Sequence, residues 1–415
     1  MGFVVLIVLM TTLVHYYLWR RLVRATTAPG PLRRALTWAT VALGALIPVT
    51  LVGSHSDWGR FLAWPGFLWL AVMYYLAVFL VVLEVPRAVA LAVLRRRAPA
   101  RTAPVLVGAP EPPGEEPSGE EPSGEEPKGM AMNRRDFVAR TAAAVAGAGA
   151  LVTVGTGVRT ALGDPLIERV SVALPGLDPR LGGLRLAVVS DIHLGPLTGL
   201  GHTERIVRMI NGLQADVVAV VGDLVDGTVA ELGPLARPLR SLESRYGAYF
   251  VTGNHEYYTA NGPDEWVEEL RDLGVRPLRN ERVEIAHAGA VLDLAGVDDV
   301  TGASGGGGPD FERAFGGRDP GRSTVLLAHQ PVQAVQAAKY GVDLQLSGHT
   351  HGGQMVPFNL IVPFQQPMVS GLGEVDGTQV YVTRGAGFWG PPVRVGAPPE
   401  ITLLELRPGD RRKAG

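Results

Sequence analysis

Five of the nine histidines stand beside acidic or amide side chains in short motifs that suit metal binding and acid–base chemistry. The motifs are Asp191-x-His193, Gly222-Asp223-x-x-Asp226, Gly253-Asn254-His255-Glu256, an isolated His329, and Gly348-His349-Thr350-His351. Carboxylate, imidazole and amide ligands without a thiolate suit borderline to hard divalent ions such as Mn, Fe, Zn or Mg. The chain has no cysteine, which excludes disulfides, thiolate metal sites and cysteine nucleophiles.

The number of these ligands indicates two ions rather than one. Two carboxylates, four histidines and one amide are too many donors for a single open site. Two ions about 3.5–4 Å apart need a bridging ligand, and a carboxylate in the middle of the series can serve both. Such a centre clamps the attacking and leaving oxygens of a phosphoryl displacement and makes hydroxide available near neutral pH. Taken singly, Asp-x-His and Gly-Asp after a strand are more often turns and Asn-His means little, whereas Gly-His-Thr-His-Gly-Gly is less ordinary. The prediction therefore depends on the combination of the motifs.

The elements that must position these motifs are short apolar segments of strand length. They are Leu184–Val189, Val217–Val221, Ala248–Thr252, Thr324–Ala328 and Leu344–Ser347. Helical patterns separate some of them, at Thr203–Leu213 with Thr203 as a plausible N-cap, at Pro263–Leu273 and at Pro331–Tyr340. This alternation predicts an α/β domain, whose sites form at the carboxyl ends of the strands.

The ordered series of motifs resembles the calcineurin-like metallophosphoesterases over roughly residues 165–405. Residues 348–354 (GHTHGGQ) and a twin-arginine-like segment at Arg134-Arg135 further resemble the membrane-linked bacterial branch of that family. The resemblance implies a sandwich of two mixed β-sheets flanked by helices. It also implies a metal-dependent phosphoesterase that hydrolyses phosphate esters or pyrophosphates by attack of a metal-bound hydroxide. Two divalent ions are implied, with Mn, Fe or Zn favoured and Mg compatible.

The resemblance also implies a role for each residue. Asp191, His193 and His351 would hold the first metal, Asp223 would bridge, and Asn254, His329 and His349 would hold the second. His255 would face the substrate phosphate as general acid or electrostatic stabiliser, and Asp226 would orient His255. For Asp226 a solvated turn residue is the alternative. Phe388, Trp389 and Arg394 form either a wall or phosphate clamp beside the site, or ordinary packing, which is favoured for the aromatics.

The N-terminal region has the composition of a membrane domain. Four stretches lack formal charge for the length of a bilayer crossing: Gly2–Trp19, Ala35–Gly53, Phe61–Leu83 and the more weakly apolar Thr141–Val158. The last is alternatively an export signal, a soluble helix or a linker. Arginines cluster after the first and third stretches, which predicts that the N-terminus and the catalytic domain lie outside the cytoplasm.

These features divide the chain into four segments. Residues 1–94 are predicted to hold three membrane helices, residues 95–132 a disordered acidic linker with GEEPS repeats, and residues 163–408 the catalytic domain. Residues 133–162 combine a fourth hydrophobic helix with Arg134-Arg135, which resembles a twin-arginine export signal. The two arginines are equally compatible with a positively charged cytoplasmic flank of that helix.

The charge distribution and the motifs limit the kinds of binding partner that the sequence predicts. The first 110 residues carry eleven arginines against Asp57 and Glu84, whereas residues 129–415 are mildly acidic, which disfavours nucleic acid as a stable partner. The predicted partners are the bilayer and a phosphate-ester substrate, with a lipid-linked ester mildly favoured by anchoring. The alternative function is a catalytically inactive, metal-binding extracytoplasmic module of a membrane sensor, although such a module has no need of His255. Nothing in the sequence indicates an oligomeric state.

Overall fold

The computed structural model describes residues 2–54, 59–96 and 134–409. It contains two compact units, one formed by Met1–Gly44 with Met73–Ala150 and the other by Ala45–Val72 with Leu151–Gly415. Apart from residues 95 and 96, which end a helix, the predicted acidic linker lies outside the described residues.

The N-terminal region is helical, as predicted. Its helices are α1 (Gly2–Leu18), which continues into a π-helical segment (Trp19–Arg24), α2 (Pro31–Gly53), α3 (Ala63–Arg96) and α4 (Arg134–Leu162). Among the described residues, three helical stretches are long and apolar enough to cross a membrane: Pro31–Gly53, Arg60–Leu94 and Asp136–Leu162. Helix α1, which has 17 residues, is not one of these three stretches. Helix α4 joins the paired arginines and the fourth hydrophobic stretch in one continuous helix.

The domain that follows α4 contains a first mixed sheet of six strands. They are β1 (Leu166–Pro175), β2 (Arg185–Val189), β3 (Val217–Val221), β4 (Ala248–Val251), β5 (Val275–Pro277) and β12 (Glu400–Gly409). The spatial order is β1-β12-β2-β3-β4-β5, with β12 antiparallel to β2 and the other neighbouring pairs parallel. Strand β3 is fully buried and consists of valine and alanine, as expected for a parallel strand covered on both faces.

A second mixed sheet of six strands follows. Its strands are β6 (Glu281–His287), β7 (Ala290–Gly296), β8 (Thr324–Leu327), β9 (Leu344–Ser347), β10 (Gly371–Val375) and β11 (Thr378–Val382). Their order is β10-β11-β9-β8-β7-β6, with antiparallel pairs only at the two edges. The predicted α/β fold with two mixed sheets is therefore confirmed.

Apolar side chains join the two sheets face to face. Leu186 and Val221 from the first sheet belong to the same buried cluster as Leu294 and Leu346 from the second. The helices of the domain are α5 (Leu200–Gly212), α6 (Val229–Ala236), α7 (Asn254–Tyr258), α8 (Asp264–Asp272), α9 (Phe311–Phe315) and α10 (Ala334–Ala337).

Two details of the predicted helices were wrong. Helix α5 begins after Gly199, so Thr203 lies buried inside the helix and does not cap it. The predicted helix Pro331–Tyr340 is three short pieces, because 3₁₀ turns at Pro331–Gln333 and Ala338–Tyr340 flank α10.

The last two turns of α4 contact the two-sheet domain inside the second unit. The Arg394 N–H donates to the Gly157 carbonyl at 3.0 Å. A Cβ atom at Gly157 would lie 2.6 Å from Val393 Cγ1 and 2.9 Å from Val395 Cγ2. Glycine is therefore required at position 157 because the two backbones approach closely.

We predict that Gly157→Ala lowers the melting temperature of the purified full-length chain relative to Gly155→Ala. Both changes improve helix propensity by up to about 1 kcal/mol. Only the Cβ at position 157 meets other atoms, since position 155 has none within 4 Å. Overpacking costs about 1–3 kcal/mol. Equal melting temperatures of the two variants would contradict the close contact.

Candidate metal centre and active site

The structure brings all nine predicted site residues together at the carboxyl ends of the strands. Three groups have ligand atoms within 4.8 Å of one another and are candidate metal-binding sets: Asp191–His193–His351, His193–Asp226–His255 and Asp223–His329–His349. Asn254 joins the last group, because its Oδ1 lies 2.8 Å from His349 Nδ1.

In the first group, hydrogen bonding prepares one histidine for ligation. His193 Nδ1 lies 2.8 Å from Asp226 Oδ1, and an N–H there leaves the Nε2 lone pair free. His193 Nε2 faces His351 Nε2 at 3.1 Å, and His351 Nε2 lies 3.3 Å from Asp191 Oδ1. Two imidazole nitrogens and a carboxylate oxygen converging in this way fit a shared divalent cation.

In the second group, the buried Nε2 of His329 has no hydrogen-bond partner among the described residues. His329 donates from Nδ1 to the Val221 carbonyl at 2.8 Å. Its buried Nε2 faces Asp223 Oδ2 at 3.1 Å but outside hydrogen-bond geometry. A buried nitrogen with no hydrogen-bond partner is costly unless a ligand uses it. The donor set therefore fits a second ion.

Asp223 lies between the two groups. Its Oδ2 is 3.1 Å from His329 Nε2 and 3.9 Å from His193 Nε2. Burial alone would raise the pKa of this carboxyl, but the imidazoles of His329, His255 and His193 hold the pKa well below its usual range. The carboxylate is therefore ionised and can serve both groups, as a bridging ligand must.

His255 stands beside these groups at the first turn of α7. Its backbone N–H donates to Asp223 Oδ1, and its Nδ1 lies 2.8 Å from Asp226 Oδ1. Burial alone would lower the pKa of His255, but the carboxylates of Asp223 and Asp226 raise that pKa to about 9. The ring also contacts the aromatic rings of Tyr258 and Trp389, with centroids 5.4 and 6.1 Å away.

Asp226 contacts two histidines rather than the one predicted. Its Oδ1 lies 2.8 Å from the Nδ1 atoms of both His193 and His255. The sequence hypothesis of a link to His255 named only half of this arrangement. A single carboxylate thus sets the orientation of a candidate ligand and of the candidate acid.

The backbone at the site is held in an unfavourable conformation. Five site residues have positive φ angles: Asp191 (52°), His193 (49°), Asp223 (50°), His349 (71°) and His351 (51°). Each such residue costs on the order of 1–3 kcal/mol and persists only where its surroundings impose it. The surrounding fold therefore imposes this backbone conformation at the five residues.

Glu256 supports the site and was not given a role by the sequence. Its fully buried carboxylate accepts the backbone N–H groups of Asp223, Leu224 and Gly253 at 3.1, 2.7 and 2.6 Å. Burial and the nearby Asp223 raise the pKa of Glu256 to about 7. It ties the loop after β3 to the loop after β4. The signal available in the sequence was its place in the Gly-Asn-His-Glu motif.

Arg394 is not a phosphate clamp. It is 1% exposed, and its guanidinium donates to the carbonyls of Gly387, Arg384, Ala397 and His351. Its Nη2 also lies 3.0 Å from His351 Nδ1. If His351 bound a metal ion through Nε2, its Nδ1 would carry a hydrogen and could no longer accept a hydrogen bond from Arg394 Nη2. Nη2 would then still donate to the Gly387 carbonyl at 2.6 Å. Of the neighbouring aromatics, Phe388 is buried, whereas Trp389 is 54% exposed.

Comparison with known proteins agrees with this geometry. Residues 184–353 match the profile of the family described as calcineurin-like phosphoesterase. An uncharacterized metallophosphoesterase of Aquifex aeolicus is 34% identical over 247 residues, which span 58% of this chain and 91% of that protein. The chain belongs to the calcineurin-like phosphoesterase family. Family membership supports a hydrolase that uses divalent metal ions.

A second relative is a transmembrane protein by its name. The transmembrane protein with metallophosphoesterase domain from Bos taurus is 42% identical over 263 residues, covering 60% of this chain. The chain spans 59% of the length of that relative. Among solved structures, a dimetal phosphatase from Danio rerio superposes with a TM-score of 0.36 and 11% identity, over 55% of this chain and 93% of that one.

We predict that Gly348→Ala lowers the metal content of the purified chain. A Cβ atom at this position would lie 2.0 Å from Ser190 Oγ and 2.3 Å from Asp191 Oδ2, so the carboxylate must move. Gly305→Ala is the control, because no atom lies within 4 Å of its Cβ position. Elemental analysis should show metal loss only in Gly348→Ala. Unchanged metal content at position 348 would remove Asp191 from the ligand set.

Proposed function

We propose that the chain is a membrane-anchored two-metal phosphoesterase that hydrolyses phosphate esters or pyrophosphates. The observation that carries the proposal is the position of Asp223 between two sets of converging donors, with His255 directly beside them. Asp191, His193 and His351 would hold one divalent ion, and Asn254, His329 and His349 the other. Two ions held in this way supply a low-pKa water and neutralise charge on the phosphoryl oxygens.

The proposed task of His255 is proton donation to the leaving oxygen. Its Nδ1 faces Asp226, so Nε2 is the nitrogen available to substrate. The pKa of about 9 keeps the ring protonated at neutral pH. Asp226 is half-buried and contacts the rings of both His193 and His255, so it holds the His255 ring in one orientation. This arrangement also disfavours the alternative of an inactive sensor module, which would need no aligned acid.

The proposed topology places the catalytic domain outside the cytoplasm. The charge-free stretches and the arginines that follow two of them support a multi-pass membrane protein with an extracytoplasmic N-terminus. Helix α4, which ends at Leu162, would then make the final crossing. Arg134 and Arg135 would act as its cytoplasmic flank or as a twin-arginine-like export signal, and both give the same orientation.

We predict that His255→Ala discriminates between leaving groups. General acid catalysis contributes about 10²–10⁴-fold in rate. An alkoxide needs the proton in the transition state, whereas nitrophenolate is already a stable anion. Turnover of alkyl esters should therefore fall by about that factor, and turnover of nitrophenyl esters by much less, with metal content unchanged.

The matched control for this experiment is His287→Ala. His287 ends β6 and lies 2.9 Å from the Tyr246 hydroxyl through Nδ1, away from the metal-binding groups. An equal loss on both kinds of ester in His255→Ala would assign His255 to charge stabilisation of the phosphoryl oxygens. Loss of a metal ion would make His255 a ligand.

We predict that a reporter active only outside the cytoplasm is on when it is fused after Gly415. The crossing by α4 carries everything beyond Leu162 to the outer face. A cytoplasmic reporter at the same position is the control and should stay off. If only the cytoplasmic reporter is active, the proposed crossing by α4 is wrong.

A further inference from the structure

A loop beside the site exposes an unusual amount of apolar surface. It follows the Gly348–Gly353 motif and runs from Met355 to Phe364. Phe364 is 87% exposed and Leu360 68% exposed, and Val356, Phe358 and Ile361 are exposed as well. Contiguous exposed apolar surface of this kind marks an interaction site rather than ordinary protein surface. We call residues 355–364 the apolar loop.

The composition and hydrogen bonding of the apolar loop suit a medium without water. No Asp, Glu, Lys or Arg occurs between His351 and Glu374. The backbone N–H groups are largely used inside the loop or on its neighbour: Val356 donates to Val395, Phe358 to Met355, Leu360 to Pro357, Ile361 to Phe358 and Phe364 to Ile361. Pro357 and Pro363 have no N–H to satisfy. Unsatisfied backbone N–H groups add to the cost of entering lipid, and most N–H groups of this loop avoid that cost.

The apolar loop is attached to the segment that contacts the candidate membrane helices. Met355 forms bridges to Val395 and Gly396, and the Gln354 side chain bonds the backbone N–H and carbonyl of Trp389. In the same segment, Val393 and Val395 contact Gly157 of α4. A Cβ at Gly390 would lie 3.6 Å from Phe67 of α3.

The depth of these contacts locates the loop relative to the bilayer. Gly157 lies five residues before the end of α4, or about 7 Å along the helix axis. Arg159, in the last turn of α4, suits the interface between lipid and water. The domain surface around Val393 therefore meets the helix close to that interface. The apolar loop, bonded to this surface, lies near the same level.

We infer that the apolar loop inserts into the outer leaflet of the membrane that α4 crosses. Its occupant is lipid, because the loop is continuous with the surface that contacts α3 and α4 and has no charge to meet a polar protein surface. Trp389 stands between the loop and His255 and has the exposed, amphipathic position of an interfacial tryptophan. The inference rests on the proposed membrane anchoring and deepens the proposed function, since the site then faces phosphate esters at headgroup level.

Insertion depth can be measured directly because the chain has no cysteine. In the full-length chain, Phe364→Cys is labelled with an environment-sensitive fluorophore. The labelled chain is reconstituted into phospholipid vesicles that contain lipids with a nitroxide on the acyl chain. Arg407→Cys is the matched exposed control. Arg407 lies on β12 seven residues beyond Glu400, which pairs with Leu166 at the start of β1, or about 23 Å farther along the strand.

We expect the nitroxide lipids to quench the Phe364→Cys label several-fold more strongly than the Arg407→Cys label, with blue-shifted emission. Equal quenching of the two labels, with emission typical of water, would overturn the inference. The measurement needs no enzyme activity, so its outcome is independent of the proposed phosphoesterase function.

A second measurement tests the consequence for substrates with the double variant Leu360→Ser, Phe364→Ser. Dodecyl phosphate in vesicles and butyl phosphate in solution share the same reacting group. We expect hydrolysis of the dodecyl ester to fall tenfold or more and hydrolysis of the butyl ester to stay within twofold. An equal loss on both esters overturns the inference. If the unaltered chain hydrolyses neither ester, it is the proposed function that fails, and the quenching result still decides the position of the loop.

Discussion

The burial of negative charge at one sheet edge is the constraint on which the site depends. Asp191, Asp223 and Glu256 are at most 2% exposed. A buried carboxylate is costly unless hydrogen bonds or cations compensate it. Glu256 is compensated by three backbone N–H groups. Asp223 accepts the His255 N–H and otherwise faces imidazoles, which must carry protons to compensate its charge. Divalent ions between these groups would supply the missing positive charge, which gives a physical reason for a two-ion centre.

Much of this edge could be predicted from the sequence, because its determinants are local. Strands β3 and β9 have the predicted bounds, and β2, β4 and β8 differ by a single terminal residue. A buried parallel strand is a run of apolar residues, and the polar residues that follow it must lie at its carboxyl end. The pairing of β1 with β12 was not predictable in this way. Leu166 pairs with Glu400, and no local period reports a contact across that separation.

The roles of side chains whose partners are distant in the sequence could not be predicted from local patterns either. Arg394 has the type and place of a phosphate ligand, yet its donors are used by carbonyl groups from three different turns. Glu256 has the type of a catalytic carboxylate, yet it braces two loops. The second partner of Asp226, His193, lies 33 residues away along the chain. In each case the residue type indicated a polar role, and only the fold determined which groups it serves.

One short segment connects the candidate metal centre to helix α4. The Ala386 N–H donates to Ser190 and the Gly387 N–H to Asp191, so this backbone supports the loop that carries two candidate ligands. A few residues later, Val393 and Val395 pack against Gly157 of α4. Buried Arg394 stiffens the link by bonding the Gly387 carbonyl and the His351 carbonyl together. A change in the packing of α4 against Val393 and Val395 would therefore act on a segment whose backbone also hydrogen-bonds to Asp191. The proposed anchoring would therefore constrain the geometry of the site itself as well as its location.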